Sequence, residues 1–420
     1  MESFTIFDRF AQFPEDIINV IIYFTKNPVF DLLQVCKYFS KVAFLKVTSC
    51  DGNHWQLTDE RLKNLANLKR VNINRMHNPD LIGKSFKYLA NITHLNLNYN
   101  AYVCEKYILK LKKLVSLELT RNSYVTNETL ELLTNLTHLN ICNVQIITSI
   151  QKLVNLTSLN IGHCHQIDEN QLKYLTNLSS LMLKSCAINY DISDMSSITH
   201  LDLTLNDSVT SDTVGKMTNL TSLVLWSNKK IMDADLSKLT NLKKLDLCTN
   251  ACITNTSLSL LTNLTKLGLA DNEIMTDMSL MKLTNLTHLD LSDNDMITDA
   301  SVSNLYNLKT LYLASSYGIT NVSIQKLTNI KTLSLNYTNI NANVSLTLKS
   351  LNLQGNSSFL DESIIKLTNL TYLKLGVVSA ITPDAIMHLE SLEILNLSSS
   401  TKKYLNDISF KIPRHVRIIR

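Results

Sequence analysis

The apolar residues of this chain recur at a fixed period that covers most of its length. The segment LTNLTHLDLSDNDMIT (283–298) has the spacing L-x-x-L-x-L-x-x-N, and similar segments stand 22 residues earlier and again 22 residues before that. A pattern that returns at a fixed period is one supersecondary unit copied many times. Such units stack along one direction, so a chain of 420 residues can extend without dividing into several globular domains.

Each repeat predicts one short strand. The two apolar residues of L-x-L alternate with polar ones, so both face the same side of a strand. A single strand cannot stand alone, and stacked neighbours supply its hydrogen bonds. The first residue of the L-x-L pair falls at sixteen positions, namely Val71, Leu95, Leu117, Leu139, Leu159, Leu181, Leu201, Leu223, Leu245, Leu267, Leu289, Leu311, Leu333, Leu351, Leu373 and Leu395.

Both ends of the array predict weaker copies of the same unit. A degenerate opening unit is predicted at Leu45-x-Val47, with Cys50 following it, and a closing strand at Val416-x-Ile418. Most steps between units are 22 residues long, whereas the steps to Leu159, Leu201 and Leu351 are shorter. A short step is expected to trim the side of the unit that lies away from the strand.

Two polar positions in the repeat have structural explanations. The asparagine after the strand is predicted to turn inward and to satisfy backbone groups of the turn, because a buried amide without partners would be costly. Cys164 and Cys186 take this position in two units. The threonines of the Ile-Thr-Asp/Asn segments are predicted N-caps of short helices. The asparagine position is occupied by Asn100, Asn122, Asn206, Asn228, Asn250, Asn272, Asn294 and Asn356.

The first 43 residues follow a different, helical pattern. Pro14 suits the first position of a helix, and the apolar residues from Ile17 to Phe24 return at helical spacing. Asn27-Pro28 ends that helix, and a second one begins near Phe30. A unit this small cannot bury so much apolar surface alone, so it needs a partner or a neighbouring core.

The same segment resembles the F-box. That family's motif begins with Leu-Pro-x-Glu and ends with Asp-Leu-Leu, a Ser/Cys-Lys pair and Trp or Phe, and this chain offers FPEDI at 13–17 and DLLQVCKYF at 31–39. The resemblance implies binding to the Skp-type adaptor of cullin–RING ubiquitin ligases. It would place six residues on that contact: Pro14, Ile17, Ile18, Leu32, Leu33 and Val35. The alternative is that these helices only cap the open end of the repeats.

The repeats themselves resemble the leucine-rich repeats of F-box and internalin-like proteins. The resemblance implies an α/β solenoid, a leucine-rich-repeat horseshoe with a parallel concave sheet. The predicted organisation is an F-box-like helical module at residues 1–43, followed by a leucine-rich-repeat solenoid at residues 44–420.

Composition and charge narrow the partners and the location. With 40 basic and 36 acidic residues the net charge is +4, which indicates neither a nucleic-acid footprint nor a membrane surface. The N-terminus lacks the basic region of a signal peptide, and the longest apolar run is far shorter than the ~20 residues of a membrane span. We therefore expect a soluble, cytoplasmic protein (in the host cytoplasm if the chain is viral) with its cysteines as thiols.

No pattern of catalytic or cofactor-binding residues emerges. Gly-rich phosphate loops, H-E-x-x-H and C-x-x-C are absent from the sequence. His163, Cys164 and His165, with Cys142 and Cys186, are the nearest approach to a metal site. The inward and outward positions alternate among them, so four zinc ligands cannot converge. The chain is predicted to be neither an enzyme nor a cofactor-binding protein.

The outward positions of the strands are the predicted target-binding surface. Trp and Tyr are favoured anchors of protein interfaces, which makes Trp226 the most informative residue of the array, although it could also be a partly covered aromatic without a ligand. We predict a substrate-recognition subunit of a Skp/cullin/F-box-type ubiquitin ligase. The alternative is a protein-binding scaffold or effector without a ligase link. The candidate target-binding residues are Met182, Asp202, Val224, Trp226, Lys244, Asp246, Tyr312 and Tyr372.

Overall fold

The chain divides into two compact units, unit 1 (Met1–Ile198) and unit 2 (Thr199–Arg420). The predicted helical module of residues 1–43 and its boundary at residue 44 lie outside the described residues. No helix in the described part is both long and apolar enough to cross a membrane. The computed structural model describes residues 47–51, 57–75, 78–187, 191–341, 344–376, 379–397, 412 and 415–419.

Within its described residues, unit 1 has seven short strands that pair side by side in chain order, all parallel. The ladder residues stand next to one another, so Val71 is beside Leu95 and Leu95 beside Leu117. The strands are β1 (Ser49–Asp51), β2 (Arg70–Asn72), β3 (His94–Asn96), β4 (Ser116–Glu118), β5 (His138–Asn140), β6 (Ser158–Asn160) and β7 (Ser180–Met182).

Unit 2 continues the same architecture with eleven strands in its described residues, again parallel and paired in chain order. The predicted α/β solenoid, with one parallel strand from each repeat, is thus confirmed. The strands are β8 (His200–Asp202), β9 (Ser222–Val224), β10 (Lys244–Asp246), β11 (Lys266–Gly268), β12 (His288–Asp290), β13 (Thr310–Tyr312), β14 (Thr332–Ser334), β15 (Ser350–Leu353), β16 (Tyr372–Leu375), β17 (Ile394–Leu397) and β18 (Arg417–Ile419).

Most repeats return from one strand to the next through a short helix. The α-helices are Asp59–Leu62, Glu105–Ile108, Asn127–Glu131, Ser211–Lys216, Asp233–Leu236, Asn255–Leu258, Asp277–Leu280, Asp299–Val302, Asn321–Ile324, Asp361–Ile364 and Pro383–Met387, and the 3₁₀ helices are Lys84–Tyr88, Glu169–Tyr174 and Ile192–Asp194. No helix is described between β5 and β6 or between β14 and β15, where the steps are 20 and 18 residues. Shortening the repeat thus removes the helix and keeps the strand.

The predicted threonine caps are confirmed. The side chains of Thr254, Thr298 and Thr320 each accept a hydrogen bond from a backbone N–H two residues later. Thr382 caps the last described helix in the same way, and Pro383 is its first residue. Each hydroxyl satisfies an amide that the helix itself cannot pair.

An acidic residue at the start of several helices ties one repeat to the next, which the sequence patterns did not indicate. Asp277 accepts from the backbone N–H of Thr298 at 3.0 Å, from its hydroxyl at 2.6 Å and from the Ser301 hydroxyl. Asp233 and Asp299 repeat this arrangement. Burial raises the pKa of these two carboxyls, but the hydrogen bonds they accept outweigh it, so each pKa lies below its ordinary value.

The buried asparagine ladder is confirmed at all eight predicted positions. Asn250 is typical: its Nδ2 donates to the carbonyls of Leu225 and Asn228, both at 3.0 Å, and its Oδ1 accepts from two backbone amides that follow it. Cys164 and Cys186 occupy the same position, and each thiol donates to a carbonyl of the preceding repeat at 3.0 Å. The amide therefore links adjacent repeats as well as holding its own turn.

The recurrent Asn-Leu-Thr triplet also has a structural role. Asn263 Nδ2 donates to the Thr240 carbonyl at 2.9 Å, and Thr265 Oγ1 donates to the Lys243 carbonyl at 3.1 Å. The same pair of bonds recurs at Asn155 and Thr157. Both polar side chains of the triplet thus satisfy backbone carbonyls of the preceding repeat.

The two predicted end units are shifted from their actual positions. The first described strand is β1, in which Cys50 is the ladder residue beside Val71, and not the Leu45-x-Val47 pair. Leu45 lies outside the described residues, and Val47 is buried ahead of the strand. At the other end Ile418, not Val416, stands beside Leu395. In both places strand pairing sets the register, and isolated apolar doublets at the chain ends do not reveal it.

Candidate functional site

The strand face of unit 2 is the side formed by the residues that alternate with the buried ladder leucines. Leu245, Leu267 and Leu289 point into the core and are at most 3% exposed. Two outward positions flank each of them, one at the strand start and one in the middle of the L-x-L pair. Because the strands pair in register, equivalent positions of successive repeats form continuous rows.

A depression of about 270 Å³ lies on this face across five strands, from β9 to β13. Its cause is Gly268, which occupies the middle position of β11 between Asp246 on β10 and Asp290 on β12. A Cβ atom at Gly268 would lie only 2.9 Å from Asp246 Oδ1. The missing side chain leaves a gap in a row that is otherwise filled. The lining residues are Ser222, Leu223, Val224, Lys244, Leu245, Asp246, Lys266, Leu267, Gly268, His288, Leu289, Asp290 and Tyr312.

Apolar and aromatic side chains flank the depression on both sides. Val224 on β9 is half-buried, and Tyr312 on β13 is 41% exposed. Trp226 follows Val224 by two residues and is 46% exposed. Partly exposed aromatic rings around a desolvated centre are typical of protein-binding surfaces.

Charges of opposite sign line successive rows. Lys244, Lys266 and His288 stand at the strand starts, and Asp246 and Asp290 stand two residues further along. Each aspartate uses Oδ1 to accept from the backbone N–H two residues later at 3.0 Å. This turn holds the carboxylates in place at the edge of the depression.

Two titratable groups near the depression have shifted pKa values. Burial, followed by the positive charges of Lys266 and Lys309, lowers the pKa of His288, whose Nδ1 is 2.8 Å from Thr287 Oγ1. Burial, followed by the hydrogen bond with Asp246, raises the pKa of the Cys248 thiol to about 12. At neutral pH the histidine is therefore predominantly uncharged, and the thiol stays protonated and unreactive.

The structure brings together half of the target-binding residues predicted from the sequence. Four of them line the depression: Val224, Lys244, Asp246 and Tyr312. Asp202 lies beside Val224 on the neighbouring strand β8, and Trp226 follows Val224. Tyr372 is on β16, three strands beyond Tyr312, where its hydroxyl accepts from Asn396 at 3.1 Å. Met182 belongs to β7 of unit 1, where it pairs with Asn160.

The sequence patterns missed the residues in the middle of the depression. Lys266, Gly268, His288 and Asp290 occupy the same outward positions as the residues that were predicted. The alternation that identifies Lys244 and Asp246 would have found them in the next two repeats. The six predicted adaptor-binding residues, Pro14, Ile17, Ile18, Leu32, Leu33 and Val35, lie outside the described residues.

The cysteines and histidines of unit 1 do not converge. The thiols of Cys164 and Cys186 donate inward to carbonyls, whereas Cys142 is half-buried on an outward position. Among the described residues, no three His, Cys, Asp or Glu side chains are arranged to hold a metal ion. His94, His138 and His200 each place Nδ1 2.8 Å from the hydroxyl of the preceding threonine.

Parallel strands at a 22-residue period, inward leucines and a buried asparagine ladder define a leucine-rich-repeat fold, and solved structures agree. A leucine-rich-repeat protein of Leptospira interrogans has a TM-score of 0.53 and 25% identity, over 87% of this chain and 99% of its own. The TLR13–ssRNA13 complex has a TM-score of 0.54 and 21% identity, over 80% of this chain and 63% of the other. No protein-family model and no curated protein matches the chain.

Proposed function

We propose that this chain is a protein-binding scaffold that holds a target protein on the strand face of unit 2. The observation that carries the proposal is the depression at Gly268, around which Val224, Tyr312 and charges of both signs converge. A depression of about 270 Å³ is smaller than the enclosed pockets of ~300–1,000 Å³ that hold small ligands. An open hollow with an aromatic margin instead suits a side chain of a larger partner.

The same proposal can be made finer at the N-terminus. The F-box-like segment at residues 13–43 supports a role as the substrate-recognition subunit of a Skp/cullin/F-box-type ubiquitin ligase. In that role residues 13–43 bind the adaptor, and the strand face holds the protein to be ubiquitinated. The chain would then contribute proximity, because it raises the effective concentration of target lysines near the charged enzyme. A scaffold or effector without a ligase link remains the second candidate.

The target-binding part is tested by truncating the aromatic residues. We expect Tyr312→Ala and Trp226→Ala each to weaken target capture by at least about tenfold, since central aromatic anchors dominate interface energies. Proximity labelling with the full-length chain measures which proteins are enriched. Tyr306→Ala is the matched control, because Tyr306 is 54% exposed and lies outside the rows of the strand face.

The thermal unfolding midpoint of the Tyr312 and Trp226 variants should stay close to that of the parent chain. A marked loss of stability would show that the rings pack against the fold and do not serve a partner. Equal depletion of captured proteins by Tyr306→Ala would contradict the assignment of the strand face.

The ligase link is tested at the N-terminus of the full-length chain. Pro14→Glu combined with Ile17→Asp places charge on the predicted apolar contact, so we expect a Skp-type adaptor to be retained by the parent chain and lost from the variant. Circular dichroism should show the repeats unchanged. If the charged variant still retains the adaptor, or if the parent chain never binds it, the ligase link fails and the scaffold proposal stands alone.

A further inference from the structure

The strand starts of unit 2 carry a continuous row of positive charge, here called the basic stripe. Six successive strands, β10 to β15, each have a basic residue at the strand start or immediately before it, and the twelve positions concerned hold no Asp or Glu. The remaining five positions are Thr or Ser. The members of the stripe are Lys243, Lys244, Lys266, His288, Lys309, Lys331 and Lys349.

The lysines of the stripe are available to a partner. All six are exposed. None of them forms an ion pair within the described ranges of the chain, where the ion pairs involve other residues such as Lys238 with Asp235. Neighbouring strands lie ~4.8 Å apart, so the stripe runs for roughly 24 Å across the sheet. Like charges held this closely repel one another, and an anionic partner would relieve the repulsion.

Acidic residues follow the stripe at a short distance along the strands. Asp246 and Asp290 stand two residues beyond Lys244 and His288, or about 6.6 Å along the strand. Asp271 and Asp293 are exposed just past the strand ends, where their backbone φ angles of 51° and 52° are left-handed. Unit 2 therefore presents a positive row and, parallel to it, a negative one.

We propose that the basic stripe binds an acidic segment of the partner protein, a proposal that rests on the protein-binding function of the strand face. The segment runs across the strand starts with its acidic side chains over the lysines, and its apolar residues reach the depression beside Tyr312. A polypeptide can change its charge from one residue to the next, as the two rows require. A nucleic-acid strand carries negative charge throughout and would meet Asp246 and Asp290.

His288 provides a local reporter, because it is the one non-lysine member of the stripe. Lys266 on β11, Lys309 before β13 and burial lower its pKa, while Asp290 follows it on its own strand. Carboxylates placed over the stripe should raise that pKa towards or above its ordinary value. Protonation of His288 is then coupled to binding, so the affinity should increase as the pH falls through this pKa.

The test uses the full-length chain and a fluorescent Glu-rich peptide of about eight residues, long enough to cross the stripe at ~3.3 Å per residue. The variant is Lys309→Glu with Lys331→Glu. The matched control is Lys282→Glu with Lys326→Glu, which changes the net charge equally at exposed lysines that follow the helices. We expect the stripe variant to bind the peptide about tenfold more weakly and the control to bind like the parent chain.

Two further measurements accompany the affinity. Raised ionic strength should weaken peptide binding to the parent chain, and NMR titration should show the His288 pKa rising when the peptide is added. The salt and NMR measurements need no substitution, so they remain decisive even if the stripe variant unfolds. Absence of peptide binding, equal affinity of the stripe variant, or tighter binding of a single-stranded oligonucleotide of matched charge would each overturn the proposal.

The result separates this inference from the proposed function. If Tyr312→Ala loses the captured target while the stripe variant retains it, the strand face binds protein but the stripe does not contribute. If both variants retain the target, the proposed function fails together with the inference.

Discussion

Replacing Asn272 by alanine should lower the free energy of unfolding by about 3 kcal/mol. Its Nδ2 donates to the carbonyls of Leu247 at 2.9 Å and Asn250 at 3.0 Å, and its Oδ1 accepts from the amides of Ile274 and Met275. Alanine removes all four bonds and leaves backbone groups buried without partners. Denaturant unfolding of the full-length chain measures the loss.

The matched control is Asn285→Ala. Asn285 is exposed, and its side chain donates one hydrogen bond, to the Thr262 carbonyl at 3.0 Å. Water can replace that bond, so the expected loss is about 1 kcal/mol or less. Hydrogen exchange should show the amides of Ile274 and Met275 opening in the Asn272 variant. Equal losses for the two asparagines would contradict the view that burial makes the ladder costly to interrupt.

Truncating a ladder leucine should have an effect of similar or larger size. Leu267→Ala removes a side chain that is 3% exposed and stands between Leu245 and Leu289, so we expect a loss of about 2–5 kcal/mol in the free energy of unfolding. Each repeat contacts mainly its neighbours, which should concentrate the effect locally. Hydrogen exchange should therefore increase first in β10, β11 and β12.

Leu260→Ala serves as its control because Leu260 is 53% exposed, and its loss should stay within about 0.5 kcal/mol. If exchange in the Leu267 variant rose uniformly through unit 2, the repeats would unfold as one cooperative block, and the expectation of a local effect would be wrong. The two controls together separate buried from exposed members of the same repeat.

The repeat pattern revealed much of the fold because its information is local. Ladder leucines such as Leu245 and Leu267 are recognisable from alternation within a few residues, and Asn250 and Thr254 from their place in the turn and at the helix start. The same alternation identified Lys244, Asp246 and Tyr312 as outward residues. It failed at the chain ends, where Cys50 and Ile418 are ladder residues only because a neighbouring strand pairs with them.

Sequence by itself therefore determined which positions are buried, which turn and which face outward within each repeat. Only the tertiary structure decided what lies beside what. Asp277 finds Thr298 and Ser301 in the next repeat, Gly268 opens a gap between Asp246 and Asp290, and lysines of six repeats form one stripe. The physical reason is that these groups are about one repeat apart in the chain, and they become neighbours only when the strands pair in register at ~4.8 Å.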